Sequence, residues 1–394
     1  MFGKASIGLA VAAAASAVSG TLTLPNFAQF AVDSGLALGS LNSLAVLNAL
    51  GNTAGSCNLS NIKFRQEWRT LSTGQRKNYI AAVNCLTTKP SILPAGLAPG
   101  SFSVFDDFTY VHMKATNEIH MTGNFLTWHR YFIHVFEQEL QKCGYNGNLP
   151  YWEWGFDVES PRDSPVFDGS DTSLGGDGEA IPHAGLIMQL PTSPGPVQFP
   201  PGTGGGCVQT GPFSNLTLHL GPVVLPQYGS PNITFNTQPE LDNPRCLKRD
   251  LNPWVAKKWT TFRNTTELIL GSANIFEFST EMNGDPRGST NLLGVHGGGH
   301  FTIGGDPGGD AFVSSNDPAF WLHHAQIDRV YWIWQMLDFN NRKGVFGTRT
   351  FLNGPPSANT TIEDLLVVAP LASSVKIKDV TNTVGGSPLC YIYI

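Results

Sequence analysis

Charge is the first thing this sequence is short of. Asp, Glu, Lys and Arg make up 14% of its 394 residues, against about a quarter in ordinary globular chains. The formal balance is −6, so no basic stripe is available for a phosphate backbone and nucleic-acid binding is excluded. No uncharged apolar run reaches the roughly 18 residues of a membrane span, so no membrane insertion is expected. No two cysteines stand in C-x-x-C spacing, which argues against thioredoxin-like and structural zinc sites. Internal repeats and an obvious domain linker are also missing. What is present is 41% hydrophobic residues, too many for a disordered chain. With them come 43 glycines and 27 prolines, which predict long loops between modest regular elements.

The first twenty residues carry the pattern of an export signal. Lys4 opens it, Ile7 to Ala17 form a short apolar run, and Ala17-Val18-Ser19-Gly20 are small enough for cleavage. Six cysteines, Cys57, Cys85, Cys143, Cys207, Cys246 and Cys390, leave many pairings open. The expected layout staples two helices by Cys85–Cys143, closes the loop region by Cys207–Cys246 and joins the ends by Cys57–Cys390. N-x-S/T sequons stand at Asn58, Asn215, Asn232, Asn264 and Asn359. Signal, cysteines and sequons together predict a secreted, extracellular protein with N-linked glycans.

Residues 21–56 form an N-terminal segment in which Leu36, Leu41, Leu44, Leu47 and Leu50 recur near helical spacing. This is a helix of the mature protein or of a removed pro-segment, and the mature helix is favoured. A second helix is expected over Phe64–Cys85, interrupted at Ser72-Thr73. The clearest runs from Asn124 to Cys143, with Phe125, Trp128, Phe132, Val135, Phe136 and Leu140 on one broad face. Residues 160–206 read as surface loops, Asn252–Leu268 and Asp317–Leu337 as helices, and Val367–Ile394 as a region of short strands. The expected fold is one mainly α domain with long loops over residues 57–394.

The ten histidines are not scattered. Four lie within 112–134 (His112, His120, His129, His134) and four within 296–324 (His296, His300, His323, His324). Neutral imidazole nitrogens suit copper, zinc, iron and nickel, whereas carboxylates suit harder ions. His296 and His300 stand i, i+4 and so share a helix face. The three glycines between them cost up to about 1 kcal/mol each in a helix. They make sense if metal bonds hold the turn or if something approaches its backbone closely. His324 follows on a helix opened by Asn316-Asp317-Pro318, with Asp328 one turn further as an outer carboxylate or ion-pair member. His120 and His129 would face opposite ways on one helix, so His129 belongs to the 124–143 helix, His120 to the loop before it and His112 to the preceding element. His134 and His323 are expected to pack, and His183 and His219 to be loop or surface residues. With Gly297 after His296 there is no H-E-x-x-H zinc-hydrolase pattern, and a carboxylate-free nitrogen set favours copper.

Two motifs carry a family resemblance. His112-x7-His120-x8-His129-Arg130 followed by Leu149-Pro150-Tyr151-Trp152-Glu153-Trp154, and Asn316-Asp317-Pro318-Ala319-Phe320-Trp321-Leu322-His323-His324-Ala325-Gln326-Ile327-Asp328-Arg329, resemble the two copper signatures of tyrosinases and catechol oxidases. The chain is similar to the short fungal secreted branch of that family. The resemblance implies a four-helix-bundle core holding two copper ions, one on His112, His120 and His129 and one on His296, His300 and His324, with O2 as co-substrate. Tyr391-Ile392-Tyr393 resembles the tyrosine motif closing the catalytic domain, with Arg65 as its partner, and implies that no C-terminal lid domain follows.

Departures from the family pattern refine the expectation. Glu118 occupies the place of a cysteine that many members cross-link to the second histidine. Gly297 replaces an asparagine thought to help deprotonate monophenols, and opens space above the second copper. Glu281 or Glu277 is the candidate acidic water-holder, Val313 or Phe312 borders the substrate entrance, and Phe125 and Phe136 pack beneath the rings. The expected activity is oxidation of small o-diphenols to o-quinones with reduction of O2 to water and weak or no monophenol hydroxylation. The alternatives are a haemocyanin-type dioxygen carrier, or an o-aminophenol-oxidising or true tyrosinase version of the same site.

Overall fold

Helices carry the architecture of residues 26–394, the part described by the computed structural model; the expected export signal at 1–20 lies outside the described residues. First come α1 (Gln29–Asp33), α2 (Leu36–Gly51), α3 (Thr73–Thr88), α4 (Val104–Ile119) and α5 (Phe125–Lys142). After a long loop region follow α6 (Pro253–Trp259), α7 (Phe262–Gly271), α8 (Ile275–Asn283) and α9 (Gly294–Ile303). The single turn α10 (Gly305–Gly308), the long α11 (Ala319–Leu337) and α12 (Ile377–Thr381) complete the set. No helix among the described residues is long and apolar enough to cross a membrane.

Strands are short and pair two by two. β1 (Lys63–Arg65) runs parallel to β12 (Tyr391–Tyr393). In the loop region β2 (Gly178–Ala180) pairs with β5 (Gly205–Val208) and β3 (Leu186–Met188) with β4 (Val197–Phe199). There too, β6 (Thr217–Leu218) pairs with β9 (Arg245–Cys246), and β7 (Val224–Pro226) with β8 (Ile233–Phe235). β10 (Leu365–Leu366) and β11 (Val375–Lys376) lie in the C-terminal region.

Helix starts follow side-chain caps. Ser72 accepts from the backbone N–H of Gln75 in a capping box that begins α3, and Ser103 with Asp106 does the same for α4. The expected helix over Phe64–Cys85 is therefore corrected. Its first part is strand β1 and a turn, because Lys63–Arg65 pairs with the distant C-terminal residues, and the helix starts only where Ser72 caps it. Likewise the helix expected over Asn252–Leu268 breaks into α6 and α7, because Thr261 and Asn264 form a fresh capping box. α2 forms as expected, but its buried face is Leu38, Leu41, Ala45 and Ala49, while Leu36 and Leu47 face solvent. It packs along α11, and its Asn42 amide donates to the Tyr393 carbonyl and accepts from Arg329.

α4, α5 and α11 meet through aromatic rings. Phe136 stacks on Trp321 at 3.5 Å between centroids, and Phe108 meets both edge-on at 5.2 and 5.3 Å. Each ring so buried contributes roughly 1.5–3 kcal/mol over an exposed one. The three disulfides are those expected: Cys57–Cys390, Cys85–Cys143 and Cys207–Cys246. The first closes a separation of 333 residues and so strongly restricts the unfolded chain.

Beneath the core lies a buried charge cluster. Asp328 of α11 accepts from Arg130 Nε at 2.6 Å and from the hydroxyls of Tyr391 and Tyr393, each at 2.6 Å. Arg65 of β1 donates to Glu137 of α5 at 2.6 and 2.9 Å and to the Tyr393 hydroxyl at 2.9 Å, and its guanidinium lies 3.7 Å over the Tyr391 ring. The arginine–tyrosine partnership implied by the family resemblance is thus present, and Asp328 is an ion-pair member within it. Asp328→Ala would leave the buried Arg130 guanidinium without its carboxylate, while Arg65 keeps Glu137, and removal of one partner from such a cluster costs about 3–5 kcal/mol. Urea unfolding of the variant should show an unfolding free energy lowered by that amount, read as the midpoint shift multiplied by the slope of the transition.

Candidate metal centre

α4, α5, α9 and α11 each deliver imidazoles to one place. His112 lies on α4, His120 is the residue that ends α4, His129 lies on α5, His296 and His300 on α9, and His323 and His324 on α11. Their potential ligand atoms form two groups, each with all atoms within 4.8 Å of one another: His112, His120 and His129, and His296, His300, His323 and His324. The groups face each other, with His129 stacked on His324 at 4.4 Å and His120 parallel to His296 at 6.0 Å.

The first group is oriented by backbone carbonyls. His112 Nδ1 donates to Phe312 O, His120 Nδ1 to Thr116 O and His129 Nδ1 to Phe125 O, all at 2.9 Å. Each bond fixes the tautomer and leaves Nε2 as a free lone pair. His112 Nε2 and His129 Nε2 stand 3.4 Å apart, and His300 Nε2 and His324 Nε2 stand 3.1 Å apart. Two nitrogens bound about 2.0 Å from one ion at a tetrahedral angle lie about 3.3 Å apart, so both pairs already have ligand spacing. Burial, reinforced by neighbouring imidazoles, pushes His300 down to about 3, and burial pushes His120 to about 4. The rings are therefore neutral donors at neutral pH. Buried nitrogens without a protein partner remain at His296 Nε2, His324 Nδ1 and both positions of His323. An all-imidazole donor set with orphaned inward nitrogens fits a pair of copper ions.

His323 packs as expected and has a further neighbourhood. It does pack, against Trp154 at 5.4 Å and parallel to His296 at 5.9 Å, but it also stands inside the second group, so that group holds four histidines. The His323-His324 doublet was the signal for it. Phe320 went unremarked in the sequence, yet its ring lies 5.2 Å from His112, 5.9 Å from His300 and 4.2 Å from His324. Phe125 packs under the rings, 5.0 Å from His129 and 4.6 Å from His296, whereas Phe136 lies deeper, against Trp321. His134 is buried near Tyr131, outside both groups. His219 pairs with Asp242 at 2.8 Å, and the His183 ring lies 4.4 Å from that of Tyr228, tilted by 43°.

Of the residues expected around the metals, Gly297 is half-buried between His296 and His300, which are half-buried too, while the first group is buried. Access is thus from the α9 side. Val313 is corrected: it is fully buried against Met113 and Val223 and cannot border an entrance, while the neighbouring Phe312 is half-buried. Glu281 accepts from Ser289 Oγ at 2.5 Å and Asn291 Nδ2 at 3.0 Å. Glu277 accepts from Ala273 N and Asn274 Nδ2 at the start of α8. A cleft of about 360 Å³ between Leu186, Phe199, Val224 and Phe301 lies on the other side of α9, and no histidine lines it.

Comparison with known proteins agrees with this geometry. The family model for the common central domain of tyrosinase matches residues 102–337. The chain is 39% identical over 309 residues to a tyrosinase-like protein of Emericella nidulans, covering 76% of this chain and 81% of that one. It is 37% identical over 337 residues to tyrosinase P of Aspergillus terreus, covering 84% and 91%. Among solved structures, a point variant of polyphenol oxidase from Thermothelomyces thermophila superposes with a TM-score of 0.84 at 38% identity, covering 91% and 97%.

The glycines of α9 have distinct duties. A Cβ on Gly299 would clash with the Cε1–Nδ1 edge of the His323 ring, and one on Gly298 would lie 2.5 Å from Trp259 Cβ, whereas one on Gly297 would meet only the Leu293 side chain at 3.2 Å. Gly299→Ala and Gly298→Ala should each destabilise by about 1–3 kcal/mol through overpacking. Gly297→Ala should stay within about 1 kcal/mol of the parent, since helix propensity offsets the contact. Thermal melting of the three variants checks the ranking.

Proposed function

Because this chain belongs to the tyrosinase family and is a type-3 copper phenol oxidase, we propose that it oxidises small o-diphenols to o-quinones, with weak or no hydroxylation of monophenols. The observation that carries the reading is the pair of facing histidine groups, buried on one side and open along α9. His112, His120 and His129 hold one ion, and His296, His300 and His324 hold the other. His324 is preferred to His323 because its Nε2 stands beside that of His300 and its ring faces His129, while His323 lies back against Trp154.

When bound, the copper pair supplies two-electron oxidation with dioxygen as acceptor, so that two diphenols, each losing two electrons and two protons, reduce one O2 to two waters. The chain supplies the rest. Carbonyls of Phe312, Thr116 and Phe125 hold three rings in the tautomer that presents Nε2. Phe125 and Phe320 keep water from the inner side. The half-buried edge at His296, Gly297 and His300 admits a flat ring. That open edge favours turnover over reversible oxygen carriage, which needs the centre covered. Gly297 offers no side chain to orient a water or accept a phenolic proton, and the carboxylate of Glu281 is engaged by Ser289 and Asn291. Both features favour substrates that need no prior hydroxylation.

Secretion and glycosylation belong to the same proposal. Three disulfides fit an oxidising compartment, and Asn58, Asn215, Asn232 and Asn359 are exposed, with Asn264 half-buried in the α7 cap.

Oxygen uptake by copper-loaded protein should be fastest with catechol, slower with o-aminophenol and slowest with tyrosine; a rate with tyrosine equal to that with catechol refutes the substrate assignment. His324→Ala should lower copper from two ions to one per chain and bring catechol oxidation to background. Gly297→Asn should raise the monophenol-to-diphenol rate ratio on the order of tenfold or more, the scale of a modest proton-transfer contribution; an unchanged ratio would remove Gly297 from the explanation.

A further inference from the structure

The Phe312 carbonyl that orients His112 belongs to a loop, and the loop has its own anchor. Asp310 is 5% exposed and has no cationic partner among its hydrogen bonds. Its Oδ2 accepts from Val223 N at 2.7 Å and Val224 N at 2.9 Å, and its Oδ1 accepts from Phe312 N at 2.9 Å. The peptide unit on the far side of Phe312 then accepts the Nδ1–H of His112 at 2.9 Å.

The surroundings hold this chain of bonds in place. Val313 sits on Met113, the residue after His112, and on Val223. Thr109 Oγ1 donates to Asn316 at 2.8 Å, and Asn316 donates to the Leu220 carbonyl at 3.1 Å. Three pieces of chain, 220–224, 310–316 and α4, therefore meet around one buried carboxylate. Burial pushes the Asp310 carboxyl up to about 6 against the three N–H donors, so it remains mostly ionised at pH 7. A buried carboxylate without a countercharge is a costly way to tie a loop, and here its product is the placement of one peptide carbonyl.

We propose that Asp310 is a positioning residue of the dicopper centre, fixing the Phe312 carbonyl so that His112 presents Nε2 to the first copper. The inference rests on the ligand reading above. Asp310→Asn keeps the shape but replaces one acceptor oxygen by an NH2 group, which must face either the Phe312 amide or the Val223 and Val224 amides. One side of the anchor is then lost. Outer partners of metal-bound histidines are typically worth 10- to 100-fold in affinity.

The test titrates copper-free wild type and Asp310→Asn with Cu(I) against a competing chelator, alongside melting of the copper-free proteins. Wild type should bind two ions, and failure to do so overturns the ligand reading itself. Given two in wild type, Asp310→Asn should hold one ion normally and the other about 10- to 100-fold more weakly. Retention of both ions within threefold of wild type, whether or not the melting point falls, overturns the positioning role. If the variant does not fold, hydrogen exchange on wild type decides. The amides of Phe312, Val223 and Val224 should be equally protected with and without copper, and fast exchange at Phe312 in the copper-free protein overturns the proposal.

Discussion

Asp328 lies one helical turn beyond His324, and its carboxylate gathers ties from α5, from the C-terminal strand and from β1. Arg130, which it binds, follows His129 on α5, so the two helices carrying facing rings are locked at the same depth. Tyr391 and Tyr393 reach the same carboxylate from the C-terminal strand, and Arg65 brings in the strand that precedes α3. Arg65 and Arg130 balance Asp328 and Glu137, all within a few per cent of full burial. Such a cluster adds little stability over an apolar core of equal volume. What it adds is directionality: hydrogen bonds to a carboxylate tolerate a slip of α5 against α11 far less than packed rings do. The facing groups need that, because histidine nitrogens displaced by an ångström no longer share an ion.

A second constraint acts on α9. Its sequence, with four glycines in ten residues, is a poor helix former by several kcal/mol on intrinsic propensity. The helix exists because its neighbours come close enough to replace the missing side chains. Trp259 of α6 lies flush against Gly298, and the His323 ring against Gly299. The same absence of side chains that weakens the helix lets four imidazoles crowd into one corner. Stability is thus supplied from outside the helix, by α6, α8 and α11, which pack on it.

The metal centre was more legible in the sequence than the frame around it. Histidine is rare, so two windows holding eight of ten were informative without any tertiary knowledge, and the i, i+4 pair and the 124–143 stripe are local patterns that survive folding. The expected cysteine pairing is the one found, although spacing alone left the connectivity open. What could not be seen depends on distant partners. Lys63–Arg65 becomes a strand only because residues 391–393 pair with it. The Leu36 to Leu50 periodicity is real, but which face turns inward depends on small residues, Ala45 and Ala49, that fit against α11. Val313 looked like a pocket residue because it precedes the second motif, and Met113 and Val223 cover it. His323 was assigned to packing from its angular offset within α11, an argument blind to the space that Gly299 leaves opposite. Asp310 carried no signal, since its partners are backbone amides.

The two histidine groups differ in a way that bears on how the centre works. In the first, all three rings are buried and each has its Nδ1 tied to a backbone carbonyl, so geometry is set before any ion arrives. In the second, no backbone carbonyl ties His324 Nδ1, His296 Nε2 also lacks a protein partner, four rings share one corner, and His296 and His300 reach towards solvent. Rigidity on one side and freedom on the other is what a centre needs if one ion is to stay fixed while a substrate ring approaches its neighbour. On the proposed function, a flat phenol entering along α9 would meet Gly297 first, and that residue carries no side chain to compete for the space. The closed side is backed by Phe125, Phe320 and Trp128, so on the proposed function the substrate would enter from the open side and selectivity would rest on the few side chains that line the α9 edge.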